Sequence, residues 1–197
     1  MDRRRFLSRG AQAALALGIF PTLEACGGEA RPVADATGSA FAALRDRYFV
    51  RVLSLNPVTA TYLGGDGYSP QLAGVNARLR DYRPAGLAAE RAFYREIKAA
   101  RDAMAPDSLT PEERIDHQVL GAQLDFILHQ LDDLRYHERS IDTYVAEPFR
   151  GVDWQIQQMT DAGGGLLGTA EEWEQVAARL DAVPGYLDAA RANLLAG

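Results

Sequence analysis

The sequence predicts an all-α fold, a multi-helix bundle or helical shell. Three observations carry that reading. Apolar residues recur at three- and four-residue spacings, as one face of a helix requires. Two capping boxes stand directly ahead of apolar runs, at Thr110–Glu113 and Thr169–Glu172. No segment alternates apolar and polar residues over the length of a strand.

The first helix is marked by Phe41, Leu44, Tyr48, Val52 and Leu55, which share one helical face. It should stop before Asn56-Pro57, because proline disfavours helical geometry in the residue ahead of it. Val58–Leu63 is expected to form a short second turn, broken by Gly64-Gly65-Asp66-Gly67. That glycine run reads as a turn and not a phosphate cradle, since no Gly-Lys-Ser/Thr follows it.

A second long helix is expected from Pro84 or Gly86 to about Met104, burying Leu87, Phe93 (or Tyr94), Ile97 and Met104. The third has the clearest start: Thr110 as N-cap, Pro111 in the first helical position and Glu113 closing the box. Its stripe of Ile115, Val119, Leu120, Leu124, Ile127, Leu128, Leu131 and Leu134 predicts a helix reaching about Tyr136. Residues 140–168 are less regular. Trp154, Ile156 and Met159 suggest a short helix after Pro148, ended by Gly163-Gly164-Gly165. Thr169 then caps a helix carrying Trp173, Val176, Ala177 and Leu180, and Pro184 restarts one through Tyr186, Leu187, Ala190 and Leu194. The chain closes on Leu194-Leu195-Ala196-Gly197, an apolar helix end without a polar tail; the front part of a longer protein is expected, and a complete protein with a short last helix is the alternative.

The opening segment has a different logic. Arg3-Arg4-Arg5 is followed by the apolar, small-residue stretch Ala11–Phe20, the layout of a secretory signal. The apolar core is about ten residues, against roughly twenty for a membrane-spanning helix. Arg3, Arg4, Phe6 and Leu7 resemble the twin-arginine export motif, with Asp2 and Ser8 as departures from it. Leu23-Glu24-Ala25-Cys26 resembles a lipobox, Glu24 being its unusual member. Cys26 is the single cysteine, so an intramolecular disulfide is impossible and a lipidation site is the favoured reading. Plain cleavage near Ala25, leaving Cys26 free, is the alternative. The organisation expected is a twin-arginine-type signal at 1–25, a lipidated cysteine and flexible tether at 26–39, and a helical domain at 40–197. The partners this implies are the twin-arginine translocase during export and membrane lipid through Cys26. The location implied is exported, periplasmic or cell-surface, anchored to the envelope.

The full chain has 21 basic and 27 acidic residues. Removing 1–25 takes Arg3, Arg4, Arg5 and Arg9 but only Asp2 and Glu24, so the mature part is more acidic still. No basic patch stands out along the sequence, which argues against nucleic acid as a partner. Asp125, His129, Asp133 and His137 follow one another at four-residue steps and form a slowly turning polar stripe. Such spacing is compatible with a metal, but the stripe lies opposite the leucine face and is expected to be solvated. His137-Glu138-Arg139-Ser140-Ile141 begins like H-E-x-x-H but has Ile141 where the second histidine must stand. No G-x-S-x-G elbow or C-x-x-C pair occurs. The residues themselves therefore support no catalytic or metal-ligand assignment and no cofactor in this chain.

Several segments together resemble the N-terminal region of a bacterial family, domain of unknown function 885. They are Leu55-Asn56-Pro57-Val58-Thr59-Ala60-Thr61-Tyr62-Leu63-Gly64, Leu109-Thr110-Pro111-Glu112-Glu113-Arg114, and Trp173 with Leu180-Asp181-Ala182-Val183-Pro184-Gly185-Tyr186-Leu187. The resemblance covers nearly all of residues 40–197. It implies a longer, largely helical protein, often exported or lipid-anchored. It also implies likeness to zinc metallopeptidases, through an H-E-x-x-H helix in the C-terminal half of the family. Zinc and a peptide substrate would then belong to the full-length protein, with this region a helical wall beside the cleft. This sequence has no H-E-x-x-H, so no catalytic residue carries over.

Overall fold

The computed structural model describes residues 39–161 and 167–197. Among them, seven α-helices are joined by turns and short 3-10 segments, so the chain is all-α as expected. The export-signal residues Arg3, Arg4, Phe6 and Leu7, the lipidation candidate Cys26 and the expected helix end at Gly163-Gly164-Gly165 lie outside the described residues.

Helix α1 spans Ala40–Leu55; the Ser39 hydroxyl accepts the Ala42 N–H at 3.0 Å and caps it. Asn56 leaves helical geometry before Pro57, which opens the short α2, Pro57–Tyr62. Three 3-10 turns follow, at Gly65–Gly67, Pro70–Leu72 and Val75–Ala77. The glycine run is a turn, with Gly64 at φ 122° and Gly65 at φ 57°. A Cβ on Gly65 would also overlap the Asn76 amide, so both conformation and space demand glycine there.

Helix α3 covers Pro84–Asp102 and α4 covers Pro111–Asp132; they pack along each other and against α1. The α4 capping box forms as predicted: Thr110 Oγ1 accepts the Glu113 N–H at 3.2 Å, and Glu113 accepts the Thr110 N–H at 2.9 Å. Tyr94, and not Phe93, is the aromatic buried on α3. Helix α5 spans Ile141–Asp161, α6 spans Ala170–Asp181 and α7 spans Val183–Ala196. The second predicted box also forms, Thr169 with Glu172. The main core gathers Phe41 and Leu44 with Leu87, Ile97, Leu124 and Leu131, and closes under Tyr82, Tyr144 and Tyr186. A smaller cluster of Leu53, Ala60, Leu72 and Val75 lies under the 3-10 turns.

Two elements differ from expectation. On α4 the buried line is His117, Leu120, Gly121, Leu124 and Leu131, while Ile115 and Val119 are 62% and 50% exposed. The reason is the bare backbone at Gly121, where a Cβ would stand 2.6 Å from the Arg101 guanidinium carbon. Arg101 lies there and donates from Nε to the His117 carbonyl at 3.0 Å; the His117 ring Nε2 meets the Arg101 carbonyl, also at 3.0 Å. Histidine and glycine thus occupy the face that periodicity assigned to larger apolar residues. The helix also ends at Asp132, short of Tyr136, and the chain reverses at Arg135, φ 47°.

The second difference is α5, a single helix of 21 residues that runs through Pro148. Proline removes one backbone donor and crowds the preceding turn. The helix survives because it is anchored on both sides: Tyr144 is buried before Pro148, and Gly151, Gln155 and Met159 after it. Tertiary packing outweighs the local penalty.

Candidate functional site

The polar residues singled out from the sequence separate in space. Asp125 pairs with Lys98 at 2.9 Å, and His129 Nδ1 meets the Asp133 carboxylate at 2.7 Å, both on the surface. His137 leaves the stripe because α4 has already ended. It sits buried in a 3-10 turn, Tyr136–Glu138, with its Nδ1 unpartnered among the described residues. Burial, with the cations Arg91 and Arg135 nearby, pulls the imidazole below its ordinary value. Among the described residues, no group of three histidine, cysteine or carboxylate side chains could hold a metal.

What the fold brings together is a different set, centred on Arg80. Arg80 lies in the extended link between the last 3-10 turn and α3. Its guanidinium donates to Glu90 on α3 at 2.7 Å and to Asn56 Oδ1 at 2.9 Å. Its backbone N–H donates to Glu147 on α5 at 2.7 Å. The guanidinium carbon stands 4.9 Å from the Tyr82 ring centre and 5.9 Å from that of Tyr136. Burial alone would lower the Arg80 pKa, but Tyr136, Tyr82 and Glu90 outweigh it and the group is held firmly charged. Glu147, with the Tyr186 hydroxyl donating at 3.4 Å, is pushed above the usual carboxylate range by burial.

Around this centre Tyr82, Tyr144 and Tyr186 pack edge to face, with ring centres 4.7 to 6.1 Å apart. Asn193 of α7 ties them, donating to the Tyr82 carbonyl at 2.9 Å and to the Tyr144 hydroxyl at 3.1 Å. The Tyr144 hydroxyl in turn donates to the His137 carbonyl. One polar network therefore links α1, α3, α5, α7 and the Tyr136–Glu138 turn.

A second buried cation locks the other half. Arg179, on α6, is 0% exposed. Its Nη1 donates to the Gly151 carbonyl at 2.6 Å, its Nε to the Arg78 carbonyl at 3.1 Å, and its Nη2 to Thr61 Oγ1 at 2.7 Å and the Val75 carbonyl at 3.2 Å. Among the described residues it holds no carboxylate directly, and burial brings its pKa down to about 10, offset by the charges of Glu147 and Asp66. Asp66 accepts the Asn76 N–H at 3.2 Å and the Gln175 amide at 3.0 Å.

Between these two networks, a cleft of about 730 Å³ opens at the C-terminal end of α1, the first turns of α3 and the start of α7. Its size falls within the usual range of small-molecule sites. Sequence reading missed these residues. A signal was nevertheless present: Glu90 falls in register with Leu87, Tyr94 and Ile97, and Arg179 stands three residues after Val176, so each charge occupies a core-facing position. A charge on an apolar stripe marks a buried partner that lies elsewhere in the chain.

No curated protein and no solved structure matches the chain. A family model does, described as bacterial protein of unknown function (DUF885), over residues 57–197. That span takes in α2 through α7 with both Arg80 and Arg179, so the chain belongs to the bacterial family DUF885.

Proposed function

We propose that residues 40–197 are the N-terminal helical region of an exported, lipid-anchored protein that resembles zinc-dependent peptidases. The region itself lacks the catalytic H-E-x-x-H part. The observation that carries this reading is membership of DUF885 over residues 57–197, joined to the signal-like opening that ends at Cys26. The Arg80 and Arg179 networks suit a wall of fixed shape beside a substrate cleft. In such a protein two histidines of the downstream helix would hold zinc, and the glutamate between them would activate water toward a peptide carbonyl.

The gene beyond codon 197 is the direct test. An in-frame H-E-x-x-H helix, with chelator-sensitive peptide hydrolysis by the full-length product, supports the reading; a stop codon at that point sinks it. For the anchor, Cys26→Ser should release the protein from membranes into the soluble fraction. Unchanged retention of that variant counts against lipid attachment.

A second reading, a non-enzymatic helical envelope lipoprotein that binds a partner, is favoured by one surface feature. Ile141, Val145 and Phe149 stand at four-residue steps on α5 and are 60%, 65% and 72% exposed. A row of that kind is the signature of a surface another element covers. Capture of a specific envelope protein, abolished by Val145→Asp together with Phe149→Asp, would favour this second reading.

A further inference from the structure

The cleft beside Arg80 has a charge pattern unlike the rest of this acidic chain. Four arginines line it, Arg51, Arg78, Arg80 and Arg83, against two acids, Asp81 and Glu90. Both acids are already engaged: Glu90 pairs with Arg80 at 2.7 Å and Asp81 with Arg83 at 2.7 Å. Among the described residues, Arg51 and Arg78 have no carboxylate within ion-pair reach. Arg78 Nε donates only to the Gly74 carbonyl, at 3.3 Å. Both side chains are exposed, so nothing in the fold explains their placement by burial.

A further cation lies behind the same space. Arg179 is fixed beneath it, bonded through Nε to the carbonyl of Arg78, and has no carboxylate in hydrogen-bond contact among the described residues. Glu147 and Asp66 offset part of its charge, so it adds only a small positive potential to the wall. The N-terminus of α3, a helix of 19 residues, also opens there. Its N-cap position is Arg83, which makes no side-chain capping bond, and the first N–H that bonds back is Leu87, to Arg83 at 3.0 Å. The amides ahead of it belong to Ala85 and Gly86, both in the cleft lining. Asp81 already occupies this end of the helix: its Oδ1 accepts the Arg83 N–H at 3.0 Å, and its carboxyl carbon lies 2.6 Å from where a Cβ on Gly86 would stand. Glu147 is the carboxylate behind the cleft; it accepts the Arg80 N–H and the Tyr186 hydroxyl. The remaining wall is apolar, with Leu55, Leu79, Ala89 and Ala189.

We propose that this cleft binds a small organic anion. Arg51 and Arg78 hold its oxyanion, and Leu55, Leu79 and Ala189 carry its apolar part. Carboxylate and phosphate share the required chemistry: a compact charge with several acceptor oxygens, matched to arginine forks. The proposal is independent of the peptidase reading, because it concerns a site built wholly from this chain.

Titration of the full chain separates the sources. The probes are inorganic phosphate, an N-acetylated dipeptide with a free C-terminal carboxylate, and the same dipeptide as its amide. Binding is followed by calorimetry and by the NMR signals of the arginine Nε–H groups. The expected result is saturable binding of phosphate or of the free-acid dipeptide, weakened by added salt. Arg51→Ala or Arg78→Ala should each weaken it about tenfold, with an unchanged melting temperature. Arg139→Ala, an exposed arginine outside the cleft, should leave it intact. Preference for the dipeptide acid over its amide identifies a carboxylate site, and binding of phosphate alone identifies a phosphate site. If neither anion saturates, or if the amide binds as well as the acid and the Arg51 and Arg78 variants bind as the parent does, the proposal is overturned.

Discussion

At the scale of single residues, Arg80, partly buried, and Arg179, fully buried, organise the molecule in different ways. Arg80 is paired with a carboxylate, whereas Arg179 satisfies itself on three backbone carbonyls and one hydroxyl. Replacing Arg179 with Ala leaves those acceptors dry and opens a cavity, so a loss of at least about 3 kcal/mol is expected. Chemical denaturation measures it, and a loss under 1 kcal/mol would contradict the role assigned here. Glu147 makes a pH prediction. Burial raises its pKa above its ordinary 4.5, so the folded state holds the proton more tightly than the unfolded chain. Stability contributed by this group is therefore present below about pH 4.5 and falls as the pH rises toward the folded value. Glu147→Gln removes that slope: its stability relative to the parent should increase from pH 4 to pH 7, as thermal melts at the two values would show.

Single elements were the most legible level of this sequence. Both capping boxes form where the Thr-x-x-Glu spacing placed them, because the bonds involved span only three residues. Thr169→Ala removes one such bond and should cost about 1 kcal/mol, read as a lower melting temperature; no change would mean that α6 is held by packing alone. The proline-bounded start of α2 and the glycine turn after it follow from local sterics in the same way. Helix α5 does not. Local rules end a helix near Pro148, and only the buried side chains on both sides of it keep the helix continuous.

For the whole molecule, burial decides which apolar residues matter. Leu124 and Phe126 lie two residues apart on α4, yet Leu124 is 0% exposed and Phe126 is 59% exposed. Leu124→Ala should therefore cost about 2–5 kcal/mol, and Phe126→Ala less than about 1 kcal/mol. Equal losses in urea titrations would mean that the exposed face of α4 is covered in solution. The same consideration applies to Ile141, Val145 and Phe149, whose row on α5 no described residue covers.

The amino-acid sequence determined the all-α class, the starts of α2, α4 and α6 and the family resemblance, because periodicity, caps and prolines act within one or two turns of chain. It also suggested the address at Arg3, Arg4, Phe6, Leu7 and Cys26, on residues outside those the structure describes. The tertiary structure alone decided that His117 and Gly121 face the core, that His137 leaves the polar stripe, and that Arg80, Glu90, Glu147 and Arg179 form the buried networks. Those contacts join residues from 10 to 118 positions apart. No local pattern specifies which distant carbonyl or carboxylate will meet a buried charge. That pairing is set by how the helices pack, and the cleft that Arg51 and Arg78 line is a product of the same packing.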